Sequence, residues 1–211
     1  MATSLGEPAR SPLTHGPERI WNLPNTITIL RTAVVPILLV FPLMADSRFG
    51  SHLMAWLFIV AALTDIVDGW LARRGAQVTR VGKLLDPLAD KLLVATALIV
   101  LLAVSRIPTW ATGLVVVIVG RELAVTGLRG LASAGGRVMA ASGLGKIKTV
   151  FQNIAIGALL FPDPTLGLPA HRIGMFCLFL AAALTLWSGY HYFAEYFGSD
   201  GAAQEPTGGS T

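Results

Sequence analysis

Charge is scarce in this chain. Only 13% of its 211 residues are Asp, Glu, Lys or Arg, about half the share of a soluble domain. Cysteine is nearly absent as well. Cys177 stands alone, which excludes an intramolecular disulfide. A net charge of +4 is too small to point to nucleic acid. There is no Ser/His/Asp set, no cysteine pair and no glycine loop of the phosphate-cradling kind, so those chemistries have no support. No repeat of 20–50 residues is present either. What fills the chain is apolar: 54% hydrophobic residues and a mean hydropathy of +0.65. These values describe a multi-span, all-α integral membrane protein.

Taken in order, residues 1–20 are polar and rich in Pro, Gly and Ser, and are expected to form a disordered tail rather than a signal peptide. Six apolar segments follow, at about 25–44, 52–73, 84–104, 108–131, 147–161 and 173–197. Most approach the ~20 residues a helix needs to cross hydrocarbon, the fifth being short. Pro36 and Pro42 are expected to kink the first. Residues 198–211 read as a second polar tail. The connection between segments two and three carries Arg73, Arg74, Arg80 and Lys83. That between four and five carries Arg129, Arg137, Lys146 and Lys148, against only Arg48, Arg106 and Arg172 on the other side. The basic side should face the cytoplasm, with both termini on that side.

The most unusual stretch is Asp65 to Asp90. Asp65 and Asp68 are three apart and Asp86 and Asp90 four apart, so each pair shares a helical face. The four acids stand at the facing ends of two apolar segments. One such acid could be a structural partner of a loop arginine. Four converging anions would repel unless a cation lay between them, and oxygen-only ligands suit a hard divalent ion, magnesium or manganese. Pro87 and the helix dipole account for Asp86 near a helix start, but not for Asp90 or the acids across the loop.

Further along, Arg121 and Glu122 lie inside an apolar segment. Arginine suits phosphate, so Arg121 is expected to bind an anion. Glu122 shares a face with Arg129, seven residues on, and either interacts with it through an intermediate group or forms an ion pair that holds helices together. Lys146 and Lys148, beside Gly143 and Gly145, either bind phosphate or anchor the segment at the membrane surface. Acids, metals and surrounding bases at a membrane surface suit phosphoryl transfer on a lipid-linked diphosphate.

The Asp65–Asp90 run matches D-x2-D-G-x2-A-R-x8-G-x3-D-x3-D at every fixed position. It resembles the signature of the CDP-alcohol phosphatidyltransferases. The resemblance implies a six-helix membrane bundle, a homodimer and two divalent ions, Mg2+ or Mn2+. It implies that Asp65, Asp68 and Asp86 are metal ligands, and that Asp90 both binds metal and acts as the base on an acceptor alcohol. It places Gly69, Arg73 and Thr79 at the cytidine diphosphate group of the donor, with Asn25, Thr28 and Arg31. The runs Asn22–Arg31, Gly82–Lys91, Arg121–Leu123, Gly145–Gln152 and Leu184–Tyr190 are most similar to the family's phosphatidylglycerophosphate synthases. On that likeness CDP-diacylglycerol is the donor and sn-glycerol 3-phosphate the acceptor, its phosphate meeting Arg121, Arg129, Lys146 and Lys148. Inositol phosphate, serine and phosphatidylglycerol are the competing acceptors. A metal transporter is the rival of another class, but it would spread its acids through the membrane depth and gives Gly69, Ala72 and Arg73 no role.

Overall fold

The computed structural model describes residues 23–72, 80–134 and 143–202. They form six α-helices: α1 (Leu23–Leu38), α2 (Arg48–Ala72), α3 (Arg80–Ala103), α4 (Thr112–Ala134), α5 (Gly143–Leu160) and α6 (Ala170–Ala202). Short 3-10 turns at Phe41–Leu43 and Thr109–Ala111 precede α2 and α4. No strand occurs among the described residues; there is one isolated bridge, Thr165 to Leu168.

The six apolar segments therefore become six helices, with shifted ends. The first stops at Leu38 instead of running to 44. Pro42 has no N–H to give and its ring would clash with the carbonyl four residues back, so the chain turns and Pro42 sits in the 3-10 turn. Pro36 stays inside α1. At the other end α6 runs through Gly198 to Ala202, past the boundary expected for the tail. A single helical glycine disfavours the helix by only about 1 kcal/mol. Thr109–Ser133 and Ala170–Gly198 are long and apolar enough to cross a membrane, and Arg48–Thr64 is a shorter apolar run.

Helix α5 lies centrally. It packs along α6 and also meets α2 and α3, while α1 rests on α2 and α3, and α4 on α6 and α3. The seams are lined by small residues: Ala55, Ala97, Ala155 and Ala181 are fully buried. Such residues let helix backbones approach where lipid supplies no hydrophobic drive. At the α5–α6 seam a Cβ on Gly174 would stand 2.6 Å from Leu159 Cγ, so only glycine fits there. Leu38, Phe58, Leu98, Leu101, Ile118 and Leu178 fill the core. Large apolar side chains also cover the outside, among them Trp110, Leu123, Phe176 and Trp187. An exterior of that kind is stable against lipid rather than water.

One arginine ties together the end of the bundle remote from Asp90. Arg106, in the α3–α4 connection, donates from Nη1 to Phe161 O at 2.6 Å. From Nη2 it donates to Ala45 O at 3.2 Å and Ser51 Oγ at 3.0 Å. It thereby joins the α1–α2, α3–α4 and α5–α6 connections. Burial lowers its pKa from the ordinary value, and Asp163 and Asp46 act the other way.

Candidate active site

From the opposite end a cavity of about 1700 Å³ extends along the bundle. Its polar part is built on four helices. Asp90 and Lys91 come from the third turn of α3, Arg121 and Glu122 from the middle of α4, Lys146 and Lys148 from the first turns of α5, and Tyr192 from α6. Asp90, Arg121, Arg129, Lys146 and Lys148, five of the residues singled out by sequence, all line this one space.

Glu122 organises it. Its carboxylate is buried and accepts from Lys91 Nζ through one oxygen and from Lys148 Nζ through the other. Arg121 Nη1 lies 3.4 Å away. Of the two readings of Glu122, the structure shows the ion pair that holds helices together: the partners come from α3 and α5, while Arg129 is exposed one turn beyond Val125 and Thr126 and lines the same cavity. The physical reason is depth. A carboxylate in the middle of an apolar helix must find cations at its own level, and Lys91 and Lys148 stand there. Lys148 is thus a buried ion-pair partner, 2% exposed, rather than a surface anchor, whereas Lys146 is exposed.

Arg121 is held from α6. Its Nη2 donates to Ser188 Oγ at 2.9 Å, and the guanidinium lies 5.4 Å from the Tyr192 ring centroid. Its Nε is buried with no hydrogen-bond partner. Gly189 makes the room, since a Cβ there would come within 3.2 Å of Arg121 Cγ. Lys91 Nζ also lies 3.6 Å from Asp90 Oδ2. Among the described lining residues Lys91, Arg121, Arg129, Lys146 and Lys148 face only two carboxylates, Asp90 and Glu122. The surplus is cationic and suits a phosphate dianion.

Sequence reasoning gave no role to Lys91, Ser188 or Tyr192. Lys91 carried no mark of its own; the hint was Glu122, a carboxylate within an apolar run that requires cations at its own depth. Ser188 falls in the 184–190 run of the resemblance and Tyr192 reads as an interfacial aromatic, but their contact with Arg121 depends on how α6 lies against α4. Arg31 is 3% exposed on α1 and is not among the lining residues. Asp65, Asp68 and Gly69 fall in the last turns of α2, Asp86 in the second turn of α3, and Asn25 and Thr28 early in α1. The side chains of these six lie outside the described residues, as do Arg73 and Thr79 entirely.

A model of the CDP-alcohol phosphatidyltransferase family matches residues 21–187. The chain belongs to that family. A CDP-diacylglycerol–glycerol-3-phosphate 3-phosphatidyltransferase of Bacillus subtilis is 43% identical over 188 residues, covering 83% of this chain and 95% of that one. One from Pectobacterium atrosepticum is 38% identical over 174 residues, covering 82% and 93%. A probable phosphatidylglycerophosphate synthase of Mycobacterium tuberculosis is 38% identical over 182 residues, covering 85% and 84%. The matched span contains every site residue expected from the sequence, while Ser188, Gly189 and Tyr192 lie just beyond it.

The family reading calls for divalent cations, and Asp90, the expected ligand whose side chain is described, fits them. Asp90 is partly exposed to the cavity, with Lys91 beside it at ion-pair rather than hydrogen-bond distance, so its carboxylate oxygens remain open to a ligand.

Proposed function

We propose that this chain transfers the phosphatidyl group of CDP-diacylglycerol to sn-glycerol 3-phosphate, giving phosphatidylglycerophosphate and CMP. The observation that carries this reading is the single cavity in which, among the described residues, one accessible carboxylate, Asp90, faces a surplus of fixed cations. The names of the bacterial relatives point the same way.

The chemistry divides among the residues as follows. Arg121, Arg129, Lys146 and Lys148 hold the acceptor's phosphate, which places its 1-hydroxyl near Asp90. Asp90 accepts the hydroxyl proton as the glycerol oxygen bonds to the lipid-side phosphorus, and the bond from that phosphorus to the departing CMP oxygen breaks. Glu122 keeps Lys148 and Lys91 directed inward and offsets their mutual repulsion while the site is empty of substrate. Asp65, Asp68, Asp86 and Asp90 would hold two Mg2+ or Mn2+ ions, which when bound neutralise charge on the diphosphate. Asn25, Thr28, Arg31, Gly69, Arg73 and Thr79 are assigned to the cytidine diphosphate group on the family pattern.

The arrangement that goes with this reading is a catalytic unit over residues 21–197 between tails 1–20 and 198–211. It has six membrane spans, is a homodimer in the cell membrane, and keeps the site and both termini at the cytoplasmic face. Purified protein supplied with CDP-diacylglycerol and magnesium, and with each candidate alcohol separately, tests the reaction by CMP release. Release with glycerol 3-phosphate is the expected result. Release only with inositol phosphate, serine or phosphatidylglycerol would reassign the acceptor.

A further inference from the structure

The cavity has a second end that phosphate chemistry does not use. From Lys148 it follows the seam between α2 and α5, past Leu63, Ile154 and Ala158, to Trp56, Phe161 and His52, where Thr165, Leu166 and Leu168 of the α5–α6 connection also line it. Two contacts fix the antiparallel register of this seam. A Cβ on Gly157 would touch Ile59 Cγ1 at 3.4 Å, and the Trp56 and Phe161 rings meet edge to face with centroids 5.9 Å apart. His52 meets the same Phe161 ring at 5.5 Å. Three rings therefore cross the seam at its far end. The flank is open: Trp56, Leu63, Val150 and Ile154 are each about half exposed, at 58%, 55%, 53% and 46%.

Phe161 lies thirteen residues beyond Lys148, which is about 20 Å along the helix line. One leaflet of hydrocarbon is roughly 15 Å deep. A lipid tail anchored at the cationic end and lying in the seam brings its last carbons to the three rings.

We propose that the Trp56–Phe161–His52 stack is a chain-length stop for one acyl chain of the lipid donor. The inference rests on the transferase reading above. The occupant follows from continuity: the apolar seam and the cationic site are one cavity, and its side opening admits a lipid without lifting it from the bilayer. Selection works by exclusion. Bilayer interior is as apolar as the seam, so moving methylenes from one to the other gains little. Carbons driven past the rings must instead displace packed aromatic side chains. Ala158, ten residues beyond Lys148, lines the seam with a small side chain.

The full-length protein in mixed micelles, with magnesium and glycerol 3-phosphate, is offered CDP-diacylglycerols of graded matched chain length. CMP release gives kcat/KM for each. Ala158→Phe should lower the value for the longest donors about tenfold relative to the dioctanoyl donor. Trp56→Ala and Phe161→Ala should extend the accepted length and leave the dioctanoyl donor unchanged. Trp56 is largely exposed, so its variant carries the test even where the Ala158 variant does not fold. A donor with a diazirine at the chain terminus should crosslink to peptides containing Trp56 or Phe161, a readout independent of turnover. Identical length profiles in wild type and Trp56→Ala, or crosslinks confined to helices other than α2 and α5, overturn the stop alone. No CMP from any donor overturns the transferase reading and this inference with it.

Discussion

Asp90 is the acid whose surroundings can be followed atom by atom, and they suit a base: partly exposed, beside a cation, in a cavity large enough for two substrates. A general base is worth about 10²–10⁴ in rate. Asp90→Asn should therefore lose that much kcat in CMP release while the detergent-solubilised protein keeps its helical circular dichroism; near-normal turnover would remove Asp90 from the role. Lys148 presents a different case because two effects overlap. Lys148→Gln takes one partner from a buried carboxylate, a change that can destabilise by about 3–5 kcal/mol, and also removes one of the proposed phosphate ligands. Adding Glu122→Gln lifts the first effect by removing the buried carboxylate charge, and Lys91 keeps Asp90 at 3.6 Å. The double variant should recover thermal stability but keep a raised KM for glycerol 3-phosphate, with the donor KM unmoved. If acceptor KM returns together with stability, Lys148 does not touch the acceptor. At this scale the sequence was legible wherever a residue was out of place in its surroundings. Asp90, Arg121 and Lys148 stood out as charges in apolar runs. Lys91 did not, since beside the acid run it reads as ordinary membrane-edge charge, and its partner Glu122 is thirty-one positions away.

Among the elements, the helices were legible and their ends were not. Hydropathy marks where an apolar helix runs, but its termini answer to local chemistry. Pro42 ends α1 early, and α3 closes with Ser105 in the left-handed region at φ 56°, where Arg106 N donates to Leu101 O at 2.9 Å. The pairing of helices was less legible still. That α6 braces Arg121 comes down to Ser188, Gly189 and Tyr192 falling on the face toward α4, and an almost uniformly apolar helix gives its face no mark in sequence. Gly189 tests the brace. Gly189→Val would force Arg121 off Ser188, so acceptor KM should rise about tenfold, the loss of one charge-assisted hydrogen bond. Donor KM should stay in place. Gly189→Ala, whose Cβ meets only the flexible Cγ at 3.2 Å, should show a smaller rise. Equal effects on both substrates would mean that the variant disturbs the whole bundle instead.

For the molecule as a whole, the two ends of the bundle have separate duties. The end with Glu122 gathers cations from α3, α4 and α5, and the far end is fastened by Arg106 across three connections. Basic-residue counting placed Arg106 on the far side but could not show what it holds, because its acceptors are mostly backbone carbonyls. Arg106→Leu should lower stability by about 3 kcal/mol, and so the apparent Tm by several degrees at ~2–4 °C per kcal/mol. Turnover measured below the transition should be near normal; a lost activity with unchanged Tm would place Arg106 in function rather than architecture. The side opening between α2 and α5 has a consequence for kinetics. A site entered from the plane of the bilayer samples lipids by their relative abundance among neighbours, whatever the volume of buffer outside. Velocity should then follow the donor's mole fraction: diluting it with inert detergent slows the enzyme, and diluting micelles and donor together does not.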